Sequence, residues 1–106
     1  MALQDITIEQ YREEFEGKQE YQLIDVREIA EWEEVRLPGT VNIPMSEFQA
    51  RMDELDEEAT IVLVCRTGAR SQMAGDFLAG SGYENVYNLL EGTMGWLRRE
   101  LPAEQG

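Results

Sequence analysis

A cysteine followed closely by two arginines is the strongest chemical signal in the sequence. Cys65 opens the loop Cys65-Arg66-Thr67-Gly68-Ala69-Arg70 and is the only cysteine of the chain, so an internal disulfide is excluded. The thiolate is the nucleophilic form of cysteine, and nearby positive charge increases its fraction. The chain contains no histidine, which excludes a Cys-His or Ser-His dyad within it. Any activation of Cys65 must therefore come from something other than an imidazole base.

The residues on either side of this loop predict a buried strand before it and a helix after it. Thr60–Val64 is a run of β-branched and apolar residues, which is typical of a strand covered on both faces. The spacing predicts a helix from about Ser71 that ends at Gly80 and Gly82. Its expected apolar stripe consists of Met73, Ala74, Phe77 and Leu78.

This position suits an anion-binding loop. Ligands of open α/β sheets bind outside the carboxyl ends of the strands. Gly68 gives the 65–70 loop the freedom to turn several backbone N–H groups inward, and the following helix adds its positive end. We therefore expect the loop to lower the pKa of the Cys65 thiol without a base. A thiolate so placed could attack the outer sulfur of thiosulfate, which would leave a persulfide on Cys65 and release sulfite.

The remaining pattern alternates strands and helices, which predicts an α/β fold with a mainly parallel central sheet and helices on both faces. We expect residues 1–106 to form one domain. Two capping boxes are predicted, one at Thr7 and one at Ser46. The other predicted features are an apolar helix face (Ile8, Tyr11, Phe15), three strands (Tyr21–Val26, Val41–Ile43, Asn85–Leu89), a turn at 37–39 and a helix over Thr93–Leu101.

Charge and composition narrow the function further. The net charge of −13 argues against nucleic acid as a partner. Between Thr60 and Gly75 the only charges are Arg66 and Arg70, which indicates a local site for a small anion. A zinc shell cannot be built from one cysteine without histidine, and no cofactor is expected. No apolar run is long enough for a bilayer and the start is unlike a secretory signal, so we expect a cytoplasmic protein with no membrane partner.

The segment Cys65–Ser71 resembles the active-site loop of the rhodanese sulfurtransferases. Further similarities extend over nearly the whole chain and lie in Leu23–Glu28 with Glu31-Trp32, Leu37-Pro38-Gly39, Asn42-Ile43-Pro44, Leu90-Glu91-Gly92 and Trp96. The resemblance implies the rhodanese fold, with Cys65 as the persulfide-bearing nucleophile. It also implies a substrate-binding loop made of Arg66, Thr67, Gly68, Ala69 and Arg70.

The activity implied is transfer of sulfane sulfur from thiosulfate or a persulfide donor to cyanide or a thiol. One alternative is a non-catalytic sulfur carrier that serves a specific donor or acceptor protein, for which the acidic surface could dock a basic partner. A second alternative is a small phosphatase. The resemblance argues against the phosphatase, because four residues separate Cys65 from Arg70 and rhodanese-like phosphatases carry one more.

The chain also departs from the family pattern at two places. Val35-Arg36 stands where the family often has Gly-His, and Thr93 stands where it often has a second glycine. We expect Arg36 to replace the structural hydrogen bonds of that histidine, and Thr93 to narrow or stiffen the pocket rim. We expect these two departures to change the preference for a substrate more than the class of reaction.

Four further residues have expected roles near the loop. Asp25 is expected to hold its own loop by hydrogen bonds, and Arg27 is a candidate partner for an acid near the pocket, such as Glu91. Trp32 and Trp96 are interpreted as packing residues.

Overall fold

The computed structural model describes residues 3–106 as a main sheet, a small second sheet and five α-helices. The strands are β1 (Leu3–Ile6), β2 (Gln22–Asp25), β3 (Val35–Arg36), β4 (Val41–Asn42), β5 (Ile61–Val64), β6 (Val86–Leu89) and β7 (Glu104–Gln105). The helices are α1 (Ile8–Glu14), α2 (Ile29–Glu34), α3 (Phe48–Arg51), α4 (Ala69–Gly80) and α5 (Gly92–Arg98). Short 3-10 turns at Met45–Glu47 and Met52–Glu54 flank α3.

The main sheet has five parallel strands in the order β1-β6-β5-β2-β4. Its central strand, β5, is buried along its whole length and sends alternate side chains into two cores. Ile61 and Leu63 join the core beneath α3 and α4, whereas Val62 and Val64 join the core beneath α1 and α5. The predicted α/β architecture, with helices on both faces of a mainly parallel sheet, is therefore confirmed.

The two predicted capping boxes had different outcomes. At Thr7 the prediction is confirmed, because its hydroxyl accepts from the Gln10 N–H at 3.0 Å while the Gln10 side chain accepts from the Thr7 N–H at 2.8 Å. At Ser46 the prediction is wrong: this residue lies inside a 3-10 turn, and its hydroxyl donates to Glu28 at 2.8 Å. The Glu28 carboxylate also accepts from the Ser46 N–H at 3.4 Å, so a distant acid takes the amide that the Gln49 side chain would satisfy in a capping box.

The predicted apolar stripe of α4 is only partly correct. Ala74 and Leu78 are buried, but Met73 is 62% exposed and Phe77 is 36% exposed. The buried face instead follows Ser71, Ala74, Gly75 and Leu78. Gly75 explains this rotation, because a Cβ there would lie 2.6 Å from Leu3 Cδ1. Small residues thus bring α4 close to the sheet and turn its larger apolar side chains outward.

The longest helix of the described residues, α4, has 12 residues, and none of their helices is long and apolar enough to cross a membrane.

Candidate active site

Cys65 lies directly after the carboxyl end of β5 and is 1% exposed. Its Sγ accepts hydrogen bonds from the Gly68 N–H at 3.1 Å and from the Ser71 hydroxyl at 3.3 Å. Gly68 is the N-cap of α4 and Ser71 lies in the first turn of that helix. The thiol therefore sits at the positive end of a 12-residue helix, where negative charge is stabilised.

Two opposing effects act on the pKa of Cys65. Burial is the largest and would raise this pKa, because it disfavours the charged thiolate. Hydrogen bonds from the Ser71 side chain and from the backbone of Ser71, Gly68 and Thr67 lower it. The hydrogen bonds together outweigh burial, so the pKa of the thiol lies below its ordinary value. The pKa of the thiol is lowered in the predicted direction, but the largest lowering effect comes from the Ser71 hydroxyl, which lies outside the 65–70 loop.

The Ser71 hydroxyl connects the thiol to a buried polar network. Its oxygen lies 2.5 Å from Asn88 Oδ1, and the Asn88 amide donates to Asp5 at 3.1 Å and to the Gly68 carbonyl at 3.3 Å. A hydroxyl carries one hydrogen, so Ser71 can donate fully to only one of three acceptors: Asn88 Oδ1, Cys65 Sγ or the Gly68 carbonyl at 3.2 Å. Because a thiolate is a stronger acceptor than a neutral amide, ionisation of Cys65 favours donation to sulfur.

The amino-terminal end of α5 holds the other side of the loop. The N–H groups of Thr93 and Met94 donate to the carbonyls of Cys65 and Arg66 at 2.8 and 3.0 Å. Gly92 permits this approach: a Cβ on it would collide with the Cys65 carbonyl and lie 2.7 Å from the Arg66 carbonyl. Gly92 also has a φ of +53°, which favours glycine. The loop backbone is therefore fixed from both sides, by α4 and by α5.

Arg70 does not stand free at the loop. Its guanidinium makes a bidentate pair with Glu31 of α2, at 2.7 and 3.0 Å. The hydrogen bond from Arg70 is the main reason that the pKa of Glu31 is lowered to about 2. Both side chains are about one-third exposed, so the pair lies at the surface near the loop. Any contact between Arg70 and a substrate oxyanion must share this guanidinium with Glu31.

The other loop residues lie mostly at the surface. Arg66, Thr67 and Ala69 are exposed, whereas Gly68 is buried and has a φ of +115°. Arg66 lines a cleft of about 290 Å³, and the other residues that line it are Arg27, Glu31, Glu34, Val35, Thr93, Met94 and Leu97. The structure thus places Arg66 beside a cleft bordering the loop.

Thr93 lies where the family pattern often has glycine. It is 2% exposed, and its Oγ1 is the one buried side-chain polar atom in residues 3–106 that lacks a hydrogen-bond partner. Its methyl and hydroxyl groups occupy space at the edge of the cleft that a glycine would leave empty.

Asp25 and Arg27 form a buried pair that shapes the neighbouring loop. Arg27 donates to both carboxylate oxygens of Asp25 at 2.8 to 3.0 Å, and to the Val35 carbonyl at 2.6 Å. The expectation that Asp25 holds the loop is confirmed. The suggested pairing of Arg27 with Glu91 is wrong, because Glu91 lies beside Arg99 at 2.8 Å and the nearer Asp25 takes the Arg27 guanidinium.

The tryptophans and Arg36 have structural contacts. Trp96 is 1% exposed and donates to the Pro102 carbonyl at 2.7 Å. Trp32 donates to the Thr40 hydroxyl at 2.9 Å, and the Arg36 guanidinium lies 4.3 Å from the centre of its ring. Arg36 also donates to the Trp32 carbonyl at 3.2 Å. Residues 3–106 contain no cluster of acids and cysteine that could hold a metal ion.

Three residues near the thiol were not predicted as site residues. Ser71 belongs to the motif that follows Cys65, so its position was a usable signal. Asn88 was also detectable in principle, as a polar residue in an apolar strand that ends at the same edge of the sheet as β5. Glu31 belongs to the Glu31-Trp32 similarity with the family, but its contact with Arg70 spans 39 residues and could not be predicted from local spacing.

Comparison with known proteins identifies the family of the chain. The family model described as "Rhodanese-like domain" matches residues 7–99. A putative sulfur carrier protein of Bacillus subtilis, YrkF, is 33% identical over 90% of this chain, which spans only 51% of that relative. The thiosulfate sulfurtransferase GlpE of Glaesserella parasuis is 30% identical over 79% of this chain and 78% of its own length.

Among solved structures, a rhodanese-related protein from Thermoplasma volcanium superimposes with a TM-score of 0.86 at 25% identity, over 97% of this chain and 99% of that one. The chain therefore belongs to the rhodanese-like sulfurtransferase family.

Proposed function

We propose that this protein transfers sulfane sulfur from thiosulfate or a persulfide donor to a nucleophilic acceptor through a persulfide on Cys65. The observation that carries this proposal is the pair of hydrogen bonds to Sγ, from the Gly68 N–H and the Ser71 hydroxyl. These donors stabilise a thiolate at the positive end of α4 in a chain that has no histidine to act as a base. The family of the chain, and a relative named thiosulfate sulfurtransferase, support the same reaction.

In the loading step, the Cys65 thiolate attacks the outer sulfur of thiosulfate. A new S–S bond forms to Cys65, the bond between the two sulfur atoms of thiosulfate breaks, and sulfite leaves with the bonding electrons. In the unloading step, an acceptor such as cyanide attacks the terminal sulfur, forms thiocyanate and regenerates the Cys65 thiolate. Both steps conserve charge and need no proton transfer, which suits a site without a base.

Residues 66–70 are the proposed binding loop for the departing sulfite. Arg66 is exposed and, within residues 3–106, free of ion pairs, so it can approach an oxyanion directly. Arg70 would contribute only by shifting part of its hydrogen bonding away from Glu31. The four residues between Cys65 and Arg70 favour a sulfur substrate over a phosphate ester, since the shorter loop encloses a smaller anion.

A sulfur carrier that receives its sulfur from a protein is the second candidate. Cys65 is 1% exposed and the Arg70 charge is neutralised by Glu31, and both features reduce the attraction of the site for free thiosulfate. The relative named as a putative sulfur carrier protein supports this candidate as well.

The experiment is an intact mass measurement of the reduced protein after incubation with thiosulfate. The enzyme proposal predicts a gain of one sulfur atom, which cyanide removes with release of thiocyanate. The Cys65→Ser variant provides the control and should show neither result. A sulfur adduct that forms with a cysteine desulfurase but not with thiosulfate would favour the carrier. Hydrolysis of an aryl phosphate without any sulfur adduct would refute both sulfur-based functions.

A further inference from the structure

An apolar groove runs beside the amino-terminal half of α4. It encloses about 470 Å³ between α4 and the segment 45–50. Met73 and Phe77 form its α4 side and are among the most exposed large apolar side chains of the described residues, at 62% and 36%. Met45 and Phe48 form part of the opposite side. Exposed methionine and aromatic side chains grouped around a concave surface are typical of protein recognition sites.

The groove lies along α4, the helix that begins at the end of the active-site loop. Arg70, Met73 and Phe77 are spaced three and four residues apart, so they lie along one face of α4. Seven residues of helix span about 10 Å, which sets the distance from the loop to the far end of the groove. Ala74 lines the groove and also packs in the same buried cluster as Cys65. A segment bound in the groove would therefore lie along the helix whose first turn contacts Cys65 through the Ser71 hydroxyl.

The surroundings of the groove are acidic. The segment 45–54, α4 and the start of α2 with its N-cap residue Glu28 carry six acids and two arginines. Both arginines are already ion-paired with acids of this set: Arg51 with Glu47 and Glu54, and Arg70 with Glu31. The remaining acids leave a net negative charge around an apolar surface, which attracts a basic partner.

We propose that this groove binds a partner protein through a segment that carries apolar side chains, basic residues and a cysteine thiol, and that this thiol exchanges sulfur with Cys65. The inference rests on the proposed sulfur-transfer function and identifies the class of acceptor. Apolar residues of the segment contact Met73 and Phe77, while its basic residues face the surrounding acids. A free inorganic anion would gain nothing from either feature.

The transfer step is an exchange between sulfur atoms. The thiolate of the partner attacks the terminal sulfur of the Cys65 persulfide, a new S–S bond forms on the partner, and the original S–S bond breaks. Cys65 leaves as a thiolate, which the Gly68 N–H and the Ser71 hydroxyl stabilise. No oxidant or reductant is consumed, and the charge before and after the step is the same.

Binding can be tested separately from the chemistry with the Cys65→Ser protein. The probe is a short fluorescent peptide of leucines and lysines around one cysteine, and its binding is followed by fluorescence anisotropy. We expect Met73→Ser and Phe77→Ser each to weaken binding about tenfold, because each removes a buried apolar contact from the complex. A peptide with glutamates in place of the lysines should bind much more weakly, and added salt should weaken the lysine peptide.

Val41→Ser is the matched control, because Val41 is 55% exposed but lies outside the groove. Equal loss of binding in Val41→Ser and Met73→Ser, or equal binding of the two peptides, would overturn the proposal. So would sedimentation showing that the wild-type chain dimerises and that Met73→Ser is monomeric, since a second copy would then occupy the groove. If the protein forms the persulfide and turns over cyanide but does not bind the peptide, only the docking site is refuted. If it binds the peptide but forms no persulfide, only the proposed reaction is refuted.

Discussion

The helices α4 and α5 both begin at the active-site loop, but their amino-terminal ends have different partners. At α4, the Gly68 N–H and the Ser71 hydroxyl point to a side-chain atom, Sγ of Cys65. At α5, the N–H groups of Thr93 and Met94 point to the backbone carbonyls of Cys65 and Arg66. The first set of donors changes the chemistry of the thiol, whereas the second set fixes the path of the chain.

This difference follows from how each helix approaches β5. α4 continues the chain from the loop, so its first donors reach back to the residue where the loop begins. α5 arrives from β6 and meets the loop from outside, where backbone carbonyls are exposed. The same property, unpaired N–H groups at a helix start, therefore provides activation in one place and support in the other. Variants that affect one helix start at a time should separate the two roles.

The largest effect is expected from Gly92→Ala at the supporting helix. The new Cβ would collide with the Cys65 carbonyl, and the residue would keep a positive φ that alanine disfavours. We expect a loss of on the order of 3 kcal/mol in the free energy of unfolding, with loss of sulfur loading as the loop moves. Urea denaturation followed by fluorescence of the two tryptophans measures this loss.

Gly80→Ala is the control for that variant. Gly80 lies at the end of α4, its added Cβ would meet nothing within 4 Å, and its φ is not positive. The same chemical change should there be neutral or slightly stabilising. Equal destabilisation by both variants would contradict the supporting role assigned to the start of α5.

Gly68→Ala should destabilise the fold less than Gly92→Ala does, but it should change the pKa of the Cys65 thiol more. A Cβ there meets no atom closer than 3.8 Å, so the cost arises from the φ of +115° and is about 1–2 kcal/mol. Relaxation of this backbone moves the Gly68 N–H away from Sγ, and the pKa of Cys65 should then rise toward its ordinary value. The rate of alkylation by iodoacetamide across a pH series measures that rise. An unchanged pH profile in a folded variant would show that this N–H does not stabilise the thiolate.

Ser71→Ala tests the activating donors without backbone strain. Loss of the hydroxyl removes a hydrogen bond that lowers the pKa of Cys65, so this pKa should rise and alkylation at neutral pH should slow. Asn88 Oδ1 also loses its partner, which should cost about 1 kcal/mol in the free energy of unfolding. Ser81→Ala, at the exposed end of the same helix, provides the control and should leave the alkylation profile unchanged.

The elements around Cys65 could be predicted because local sequence determines them. The β-branched run before the loop has no stable alternative to a buried strand, and Thr7 with Gln10 supplies both halves of a capping box within one turn. The 65–70 loop was predictable in the same way, because its glycine and its position after β5 are local features. Its effect on the thiol pKa then follows from the donors that this geometry brings to Sγ.

The features that sequence did not predict depend on contacts between distant residues. β1 is short and half of its residues are polar, and it forms by pairing with β6, about 80 residues later in the chain. Ser46 resembles a helix cap, but a carboxylate 18 residues away satisfies its amide. Arg70 was expected to bind substrate directly, and its pairing with Glu31 is visible only once α2 is placed beside α4. Short-range patterns cannot encode which distant charge will be nearest.

The smallest effect is expected from Glu31→Gln, which removes the charge that Arg70 pairs with. Glutamine still accepts from the Glu28 N–H, as Glu31 does at 3.1 Å, so the start of α2 is retained. Because the pair is partly exposed and screened by water, the loss at neutral pH should be about 1 kcal/mol or less. The folded-state pKa of Glu31 is lowered from 4.5 to about 2. The stabilising contribution is therefore present above 4.5 and is lost as the pH falls through about 2.

The stability difference between the wild type and Glu31→Gln should thus stay constant from neutral pH down to about 4.5 and shrink below it. Glu34→Gln removes one charge from the same helix without breaking an ion pair among residues 3–106, so it corrects for the change in net charge. If both variants differ from the wild type by the same free energy of unfolding at every pH, the pair of Arg70 with Glu31 contributes nothing to the stability of the fold. In that case the Arg70 guanidinium could leave Glu31 for an anionic substrate at little cost in stability. Arg70 would then act with the donors of α4 on the chemistry of the site rather than with α5 on the support of the loop.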